Sequence, residues 1–206
     1  MLLPECDYVF DFHSGGSSLT YIPSTLMRRP QMPEPLARGI AMLKTFGAPF
    51  GYLVDGGWGD HTLTAAAARA GVHHMSTECA GGGQVTPSAL RIMESGIRRV
   101  LTHIGALDGA PPPAVAETRI MQVRGPDYYV YAPDPGLFEP LVELGDEVDL
   151  GTPAALIHPH DTPWREPATA AFSRRGTVIC KRARPCRARR MSLPPCRGIR
   201  AVNVST

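Results

Sequence analysis

The chain has 206 residues, a hydrophobic content of 43% and a mean hydropathy of −0.10, values that are typical of a globular protein in aqueous solution. No apolar run is long enough to span a bilayer, and no basic segment begins a signal peptide, so we expect a cytoplasmic protein without membrane contact. The net charge of +2 hides an uneven distribution, because residues 1–166 sum to −8 while residues 167–206 carry ten Lys or Arg and no acid.

An acid, Asp11, and a histidine, His13, stand at the end of the first predicted strand, Tyr8–Phe12. Asp11 and His13 are two residues apart, so they share one face of an extended strand. Neutral imidazole is a common zinc ligand, and the pattern fits a metal-bound His13 that Asp11 supports. The small residues Ser14–Ser18 then form a loop. The alternative is a polar strand end whose Asp and His only cap a turn.

Strands and helices alternate in the sequence as far as Leu107. This order predicts an α/β fold with a parallel or mixed sheet and flanking helices. The predicted strands after the first are Phe50–Val54 and Val72–Thr77, and the predicted helices are Glu34–Phe46, Thr62–Ala70 and Pro87–Leu107.

A second acid, Glu78, follows the predicted strand Val72–Thr77 and precedes a run of glycines. Thr86 is suited to cap the next helix, with Pro87 at its first position. Sites in open α/β sheets form at the carboxyl ends of strands, and a carboxylate beside a metal-bound water is the usual general base of metal-assisted hydrolysis. The alternative is that Glu78 is a loop carboxylate that caps the helix.

The remaining histidines of this region are interpreted more simply. Asp60 and His61 lie in a glycine-rich loop where either residue could face a substrate, although an ordinary exposed loop histidine is the favoured interpretation. His73 and His74 lie inside a strand and point to opposite faces, so both are interpreted as structural.

The sequence changes character after residue 107. Residues 1–107 are predicted to form a partial catalytic α/β domain, and residues 108–118 a proline-rich linker. Residues 119–183 have the short strands and turns of a small β domain, with turn residues at Gly145 and Gly151. Residues 184–206 are a basic tail that we expect to be unstructured. Such a tail could also bind nucleic acid or an acidic surface.

Three segments together resemble the succinylglutamate desuccinylase/aspartoacylase family of zinc-dependent deacylases, most closely its branch that acts on N-acetyl-2,4-diaminobutyrate. They are Asp11–Ser18, Thr77–Glu78 with its glycines, and Pro135–Asp146. The resemblance implies a zinc carboxypeptidase-like fold and a small domain of the biotinyl/lipoyl-like barrel type. It implies a hydrolase of linear amide bonds, with His13 as a Zn²⁺ ligand and Glu78 as the catalytic base. Asp11 and Ser14 would support that ligand or contact the substrate, a small N-acyl amino acid.

The chain also departs from this family. The other zinc ligands of such enzymes come from an upstream His-Gly-x-Glu-type segment, and none of the seven histidines here begins a His-x-x-Glu arrangement. We therefore expect an N-terminally truncated member that binds zinc weakly and has no useful activity by itself. The tail is unlike the last strand of the family, and codons exist for residues 190–203 whose neighbouring frame encodes a better match, which favours a frameshift.

Three functions follow from these observations. The first is a zinc-dependent deacylase of N-acyl amino acids, the second is an inactive fragment of such an enzyme, and the third is a binding module that uses the basic tail. The shifted-frame character of the tail argues against a nucleic-acid partner. The sequence leaves open whether the chain forms a homo-oligomer.

Overall fold

The computed structural model describes residues 2–55, 61–114 and 116–183, together with the backbone of residues 197–202. The three helices are α1 (Pro33–Phe46), α2 (Leu63–Ala70) and α3 (Pro87–His103). The strands are β1 (Tyr8–His13), β2 (Leu19–Arg28), β3 (Phe50–Val54), β4 (His73–Gly81), β5 (Arg119–Val123), β6 (Tyr129–Tyr131), β7 (Leu137–Pro140), β8 (Glu147–Val148), β9 (Pro153–His158), β10 (Ala168–Ala171), β11 (Gly176–Arg182) and β12 (Arg197–Val202).

The first part of the chain forms a mixed sheet in the order β5-β3-β2-β4-β1. Strand β1 runs parallel to β4, and β2, β3 and β5 run parallel to one another, but β2 is antiparallel to β4. Of the two arrangements predicted, parallel or mixed, the mixed sheet is therefore the one formed.

The sequence pattern does not predict β2, the strand that makes the sheet mixed. Pro23 interrupts its apolar run, and proline cannot donate to a strand ladder. In the structure the register between β2 and β4 shifts by one residue between Tyr21 and Ser24, so Pro23 lies in a bulge. The bulge is a position where proline costs no ladder hydrogen bond, and the strand continues through it.

Helices α1 and α3 pack on one face of this sheet. The core there contains Leu43 and Phe46 of α1, Val100 of α3 and Met75 of β4. Gly96 permits close approach of the two helices, because a Cβ at this position would lie 2.5 Å from the Phe46 ring. The predicted N-terminal cap forms at Thr86, which accepts from the amide of Ala89. Thr62, predicted as the first residue of its helix, instead caps α2 by accepting from the amide of Ala65. Helix α3 ends at His103, four residues before its predicted end.

The second part of the chain is built from short antiparallel strands. Strands β7, β9 and β10 form a separate three-stranded sheet, while β11 pairs with β2, β8 and β12. A second core lies between these strands and includes Phe172, Val178 and Ala154. Strand β5, which follows the predicted linker, pairs with β3 in the main sheet rather than with the strands after it.

Residues 197–202 differ from the expected unstructured tail, since β12 lies between β11 and β6 and pairs with both. Backbone pairing on two edges holds a strand in place without a requirement for an apolar pattern. The other residues of the predicted tail lie outside the described residues. None of the helices in the described part of the chain is both long and apolar enough to cross a bilayer.

Candidate functional site

Strands β1 and β4 bring the two predicted motifs together. The strands are parallel neighbours, and the register places His13 opposite Glu78 and Asp11 opposite Ser76. Register partners in adjacent strands lie about 4.8 Å apart and point to the same face, so His13, Asp11 and Glu78 share one surface at the carboxyl ends of both strands.

Asp11 and His13 form an ion pair within β1. Oδ1 of Asp11 lies 2.8 Å from Nε2 of His13, and the side chains are 26% and 54% exposed. This contact orients the imidazole ring and leaves Nδ1 on the side away from the Asp11 carboxylate. An imidazole oriented in this way by a carboxylate is the usual state of a histidine that ligates a metal. The turn-capping alternative is not what this geometry shows, because Asp11 contacts His13 itself.

Two hydroxyl groups of β4 fix the backbone of β1. The amide of His13 donates to Oγ1 of Thr77 at 3.0 Å, and Oγ1 of Thr77 donates to the carbonyl of His13 at 3.2 Å. Oγ of Ser76 donates to the carbonyl of Asp11 at 2.9 Å. The sequence analysis does not identify these residues, and a Ser-Thr pair in a strand gives no signal until its neighbour is known.

Glu78 lies inside β4, three residues before the strand ends, and not in a loop. On its other side it pairs with Ser24 of β2, whose Oγ donates to the carbonyl of Glu78 at 3.3 Å. Its carboxylate Oε2 is buried. The side chain that caps α3 is Thr86, not Glu78. The carboxylate therefore lies on the same sheet surface as His13.

Interlocked loops hold the ends of β1 and β4. The amide of Gly15 donates to the carbonyl of Ala80 at 3.1 Å, and the amide of Gly83 donates to the carbonyl of Gly16 at 2.8 Å. Contact is so close that a Cβ on Gly15 or on Gly81 would lie within 2.3 Å of the carbonyl oxygen of Leu19. Ser14 is exposed, and its Oγ accepts from the amide of Gly16 at 3.3 Å, so it shapes this loop.

His74 lies on the same face as Asp11, although the sequence analysis interprets it as structural. Both ring nitrogens are buried and have no hydrogen-bond partner among the described residues. Burial lowers the pKa of His74, the Asp11 carboxylate opposes this shift, and His13 adds to it. His73 points to the opposite face, where it stacks on Tyr8 with ring centroids 5.5 Å apart.

The described residues do not by themselves fit a complete zinc site. Hydrolytic zinc needs three protein ligands, and no three His, Cys, Asp or Glu side chains in the described part of the chain are grouped to hold a metal ion. The donor chemistry of His13 suits one of these ligands. His61 is exposed in the loop before α2, and Asp60 lies outside the described residues.

Comparison with known proteins places these features in a family. Residues 1–104 match the model of the succinylglutamate desuccinylase/aspartoacylase catalytic domain. The chain is 30% identical over 182 residues to N-alpha-acetyl-L-2,4-diaminobutyric acid deacetylase of Halomonas elongata, covering 88% of this chain and 53% of that protein. It thus spans about half the length of this curated relative.

Two solved structures share the fold over the whole chain. A succinylglutamate desuccinylase/aspartoacylase from Rhodobacter sphaeroides superposes with a TM-score of 0.86 at 31% identity, and the match covers 61% of that chain. The apo ectoine utilization protein EutE (DoeB) of Ruegeria pomeroyi superposes with a TM-score of 0.84 at 27% identity, covering 62% of that chain.

Proposed function

The chain belongs to the succinylglutamate desuccinylase/aspartoacylase family, and from this premise we propose that it forms part of an amidohydrolase that removes the acyl group from N-acyl amino acids. The observation that carries the proposal is the register that places the His13–Asp11 pair opposite Glu78. An oriented imidazole and a carboxylate on one face at the carboxyl ends of adjacent strands match the ligand and the base that such hydrolysis requires.

The proposed substrate is N-acetyl-2,4-diaminobutyrate or a close analogue. The similarity to a deacetylase of that compound, and to a protein of ectoine utilization, supports this choice. The alternative of an inactive fragment has one supporting observation, the absence of a three-ligand group among the described residues.

The proposed role of Glu78 is general acid–base catalysis. Its carboxylate would accept a proton from the water that attacks the amide carbonyl, and would then deliver that proton to the departing amine. The C–N bond breaks, the acyl carbon gains the water oxygen, and the products are a free carboxylate and an amino acid with a free amine. Asp11 would keep the His13 ring oriented throughout, since it holds Nε2.

Zinc dependence is part of the proposal at the level of the family. His13 would supply one ligand through Nδ1, and a competent site needs two further ligands that the described residues do not provide. The 206-residue chain alone should contain far less than one zinc per molecule after dialysis, as measured by atomic emission. Near-stoichiometric zinc that is lost in His13→Ala would contradict this expectation.

We test the function with a chimera in which this chain replaces the matching region of the Halomonas elongata deacetylase. Release of the free amine from N-acetyl-2,4-diaminobutyrate is measured. Loss of a general base lowers kcat by about 10²–10⁴-fold, so Glu78→Gln should do so while Glu94→Gln, an exposed carboxylate on α3, should not. His13→Ala should also abolish activity.

A folded chimera without activity, or one whose activity survives Glu78→Gln, would contradict the proposal. Circular dichroism and the unfolding midpoint establish whether each variant is folded.

The second part of the chain is proposed to be a small β domain of the biotinyl/lipoyl-like barrel type. Its separate core around Phe172 and Val178 and its short antiparallel strands support this proposal. Hydrogen exchange should then show slow amides in β9 and β11 that exchange together, and independent exchange rates in the two strands would argue against one unit.

A further inference from the structure

A cavity of about 670 Å³ opens between α1 and α2, and Asp11, His13 and Glu78 of the candidate catalytic site do not line it. It lies at the start of β1 and β4, where Tyr8 pairs with His73, five residues before the His13–Glu78 pair. Five residues of strand span about 16 Å, and Tyr8 points to the opposite face from His13. The cavity is therefore distinct from the proposed active site, and its size lies within the range of small-molecule sites.

Part of the lining of this cavity is apolar, beside polar side chains such as Thr64 and His74. Phe10, Met27, Met42 and Met75 line it, and the three methionines are at most 6% exposed. Methionine side chains adapt to ligands of irregular shape because they are unbranched and flexible. Such an interior suits a short aliphatic chain.

The rim of the cavity is basic. Four arginines, Arg28, Arg29, Arg38 and Arg69, line it, and none of its lining residues is Asp or Glu. Arg38 is already paired with Glu34 of its own helix and donates to Nε2 of His73 at 2.8 Å. Arg28 and Arg29 have no ion pair with any described residue. Two guanidinium groups without an anion beside an apolar cavity are complementary to a carboxylate that carries an aliphatic chain.

We propose that this cavity binds an amphipathic carboxylate, with the acid on Arg28 and Arg29 and the aliphatic chain among the methionines. The site does not use the proposed catalytic side chains, since Asp11, His13 and Glu78 do not line the cavity, although His74, which lies on their face, does. Octanoate is the probe, and octylammonium is its control because it has the same chain length and the opposite charge.

Isothermal titration calorimetry of the full chain should show saturable octanoate binding and octylammonium binding that is at least about tenfold weaker. The double variant Arg28→Gln/Arg29→Gln should weaken octanoate binding about tenfold. The matched double variant Arg91→Gln/Arg98→Gln changes the net charge equally on exposed positions of α3 and should bind as the wild type does.

A steric variant tests the location. Ala68 is exposed on α2 and lines the cavity, so Ala68→Trp should block octanoate, whereas Ala37→Trp on α1, which does not line it, should leave binding intact. In the wild type, octanoate should shift the methyl resonances of Met27, Met42 and Met75, a measurement that depends on no variant.

Equal binding of octylammonium, equal weakening in both arginine double variants, wild-type binding by Ala68→Trp, or methyl shifts confined to other methionines would each overturn the proposal.

Discussion

Three glycines near the ends of β1 and β4 allow two effects of an added side chain to be measured apart. One effect is backbone strain at a positive φ, and the other is steric overlap of the new Cβ with neighbouring atoms. Gly16 has a φ of +59° and open space around its Cβ position. Gly15 is not in the left-handed region, but a Cβ there would lie 2.0 Å from the carbonyl oxygen of Leu19. Gly81 combines both problems, with a φ of +131° and a Cβ position 2.2 Å from the same oxygen.

The expected losses in the free energy of unfolding follow from these numbers. Gly16→Ala costs about 1–2 kcal/mol for the left-handed backbone and regains about 0.4–1 kcal/mol from the stiffer unfolded chain, a net loss between about 0 and 1.6 kcal/mol. Gly15→Ala costs about 2–3 kcal/mol, because backbone atoms must move. Gly81→Ala adds backbone strain to that overlap and costs about 3–5 kcal/mol.

Urea unfolding of the wild type and the three variants, followed by circular dichroism, measures these losses. The loss in the free energy of unfolding should be smallest for Gly16→Ala, larger for Gly15→Ala and largest for Gly81→Ala. If Gly81→Ala is no less stable than Gly16→Ala, the two loops are not in close contact, and the argument that they fix His13 beside Glu78 fails.

Three further predictions concern buried polar groups. Arg99→Met should lower the free energy of unfolding by about 2–4 kcal/mol, since it leaves the carbonyls of Phe46 and Pro113 unpaired, and a loss below 1 kcal/mol in urea unfolding would contradict this. Burial raises the pKa of Cys79 to about 11, so iodoacetamide at pH 8 should modify the exposed Cys6 first, as peptide mapping by mass spectrometry would show. Burial lowers the pKa of His74 from 6.5, so as the pH falls below about 6.5 the unfolded chain gains the proton first and stability declines. Unfolding midpoints between pH 5 and 8 should therefore vary less in His74→Gln than in the wild type.

The sequence predicts those parts of the fold that depend on local chemistry. Thr86 caps α3 as expected, because a hydroxyl before an apolar helical pattern satisfies the first free amides. The helix predicted from Thr62 also forms, with Thr62 as its cap. Strand β2 is missed because proline normally interrupts strands, and only the one-residue bulge opposite β4 shows why Pro23 is tolerated. The end of α3 at His103 is set by its C-terminal turn, for which the apolar pattern up to Leu107 gives no signal.

Some residues of the candidate site are likewise predicted by local sequence patterns, and others are not. His13, Asp11 and Glu78 are identifiable because each lies near the end of a predicted strand and shortly before glycines, a pattern within the sequence itself. Thr77 and His74 depend on the pairing of β1 with β4, which joins residues 64 positions apart, as the bond between His13 and Thr77 shows. No local pattern encodes that pairing.

Because β2 pairs with strands that lie far apart in the sequence, part of its edge has no partner strand during much of synthesis. One edge of β2 pairs with β4, and the other pairs with β11 over Leu19–Tyr21 and with β3 over Ser24–Arg28. Cys180, the partner of Tyr21, emerges about 160 residues later. At about 5–20 residues per second, the backbone groups of that edge stay unsatisfied for roughly 8–30 s on the ribosome. We expect chaperones to contact the nascent chain at Leu19–Tyr21 until β11 has been made.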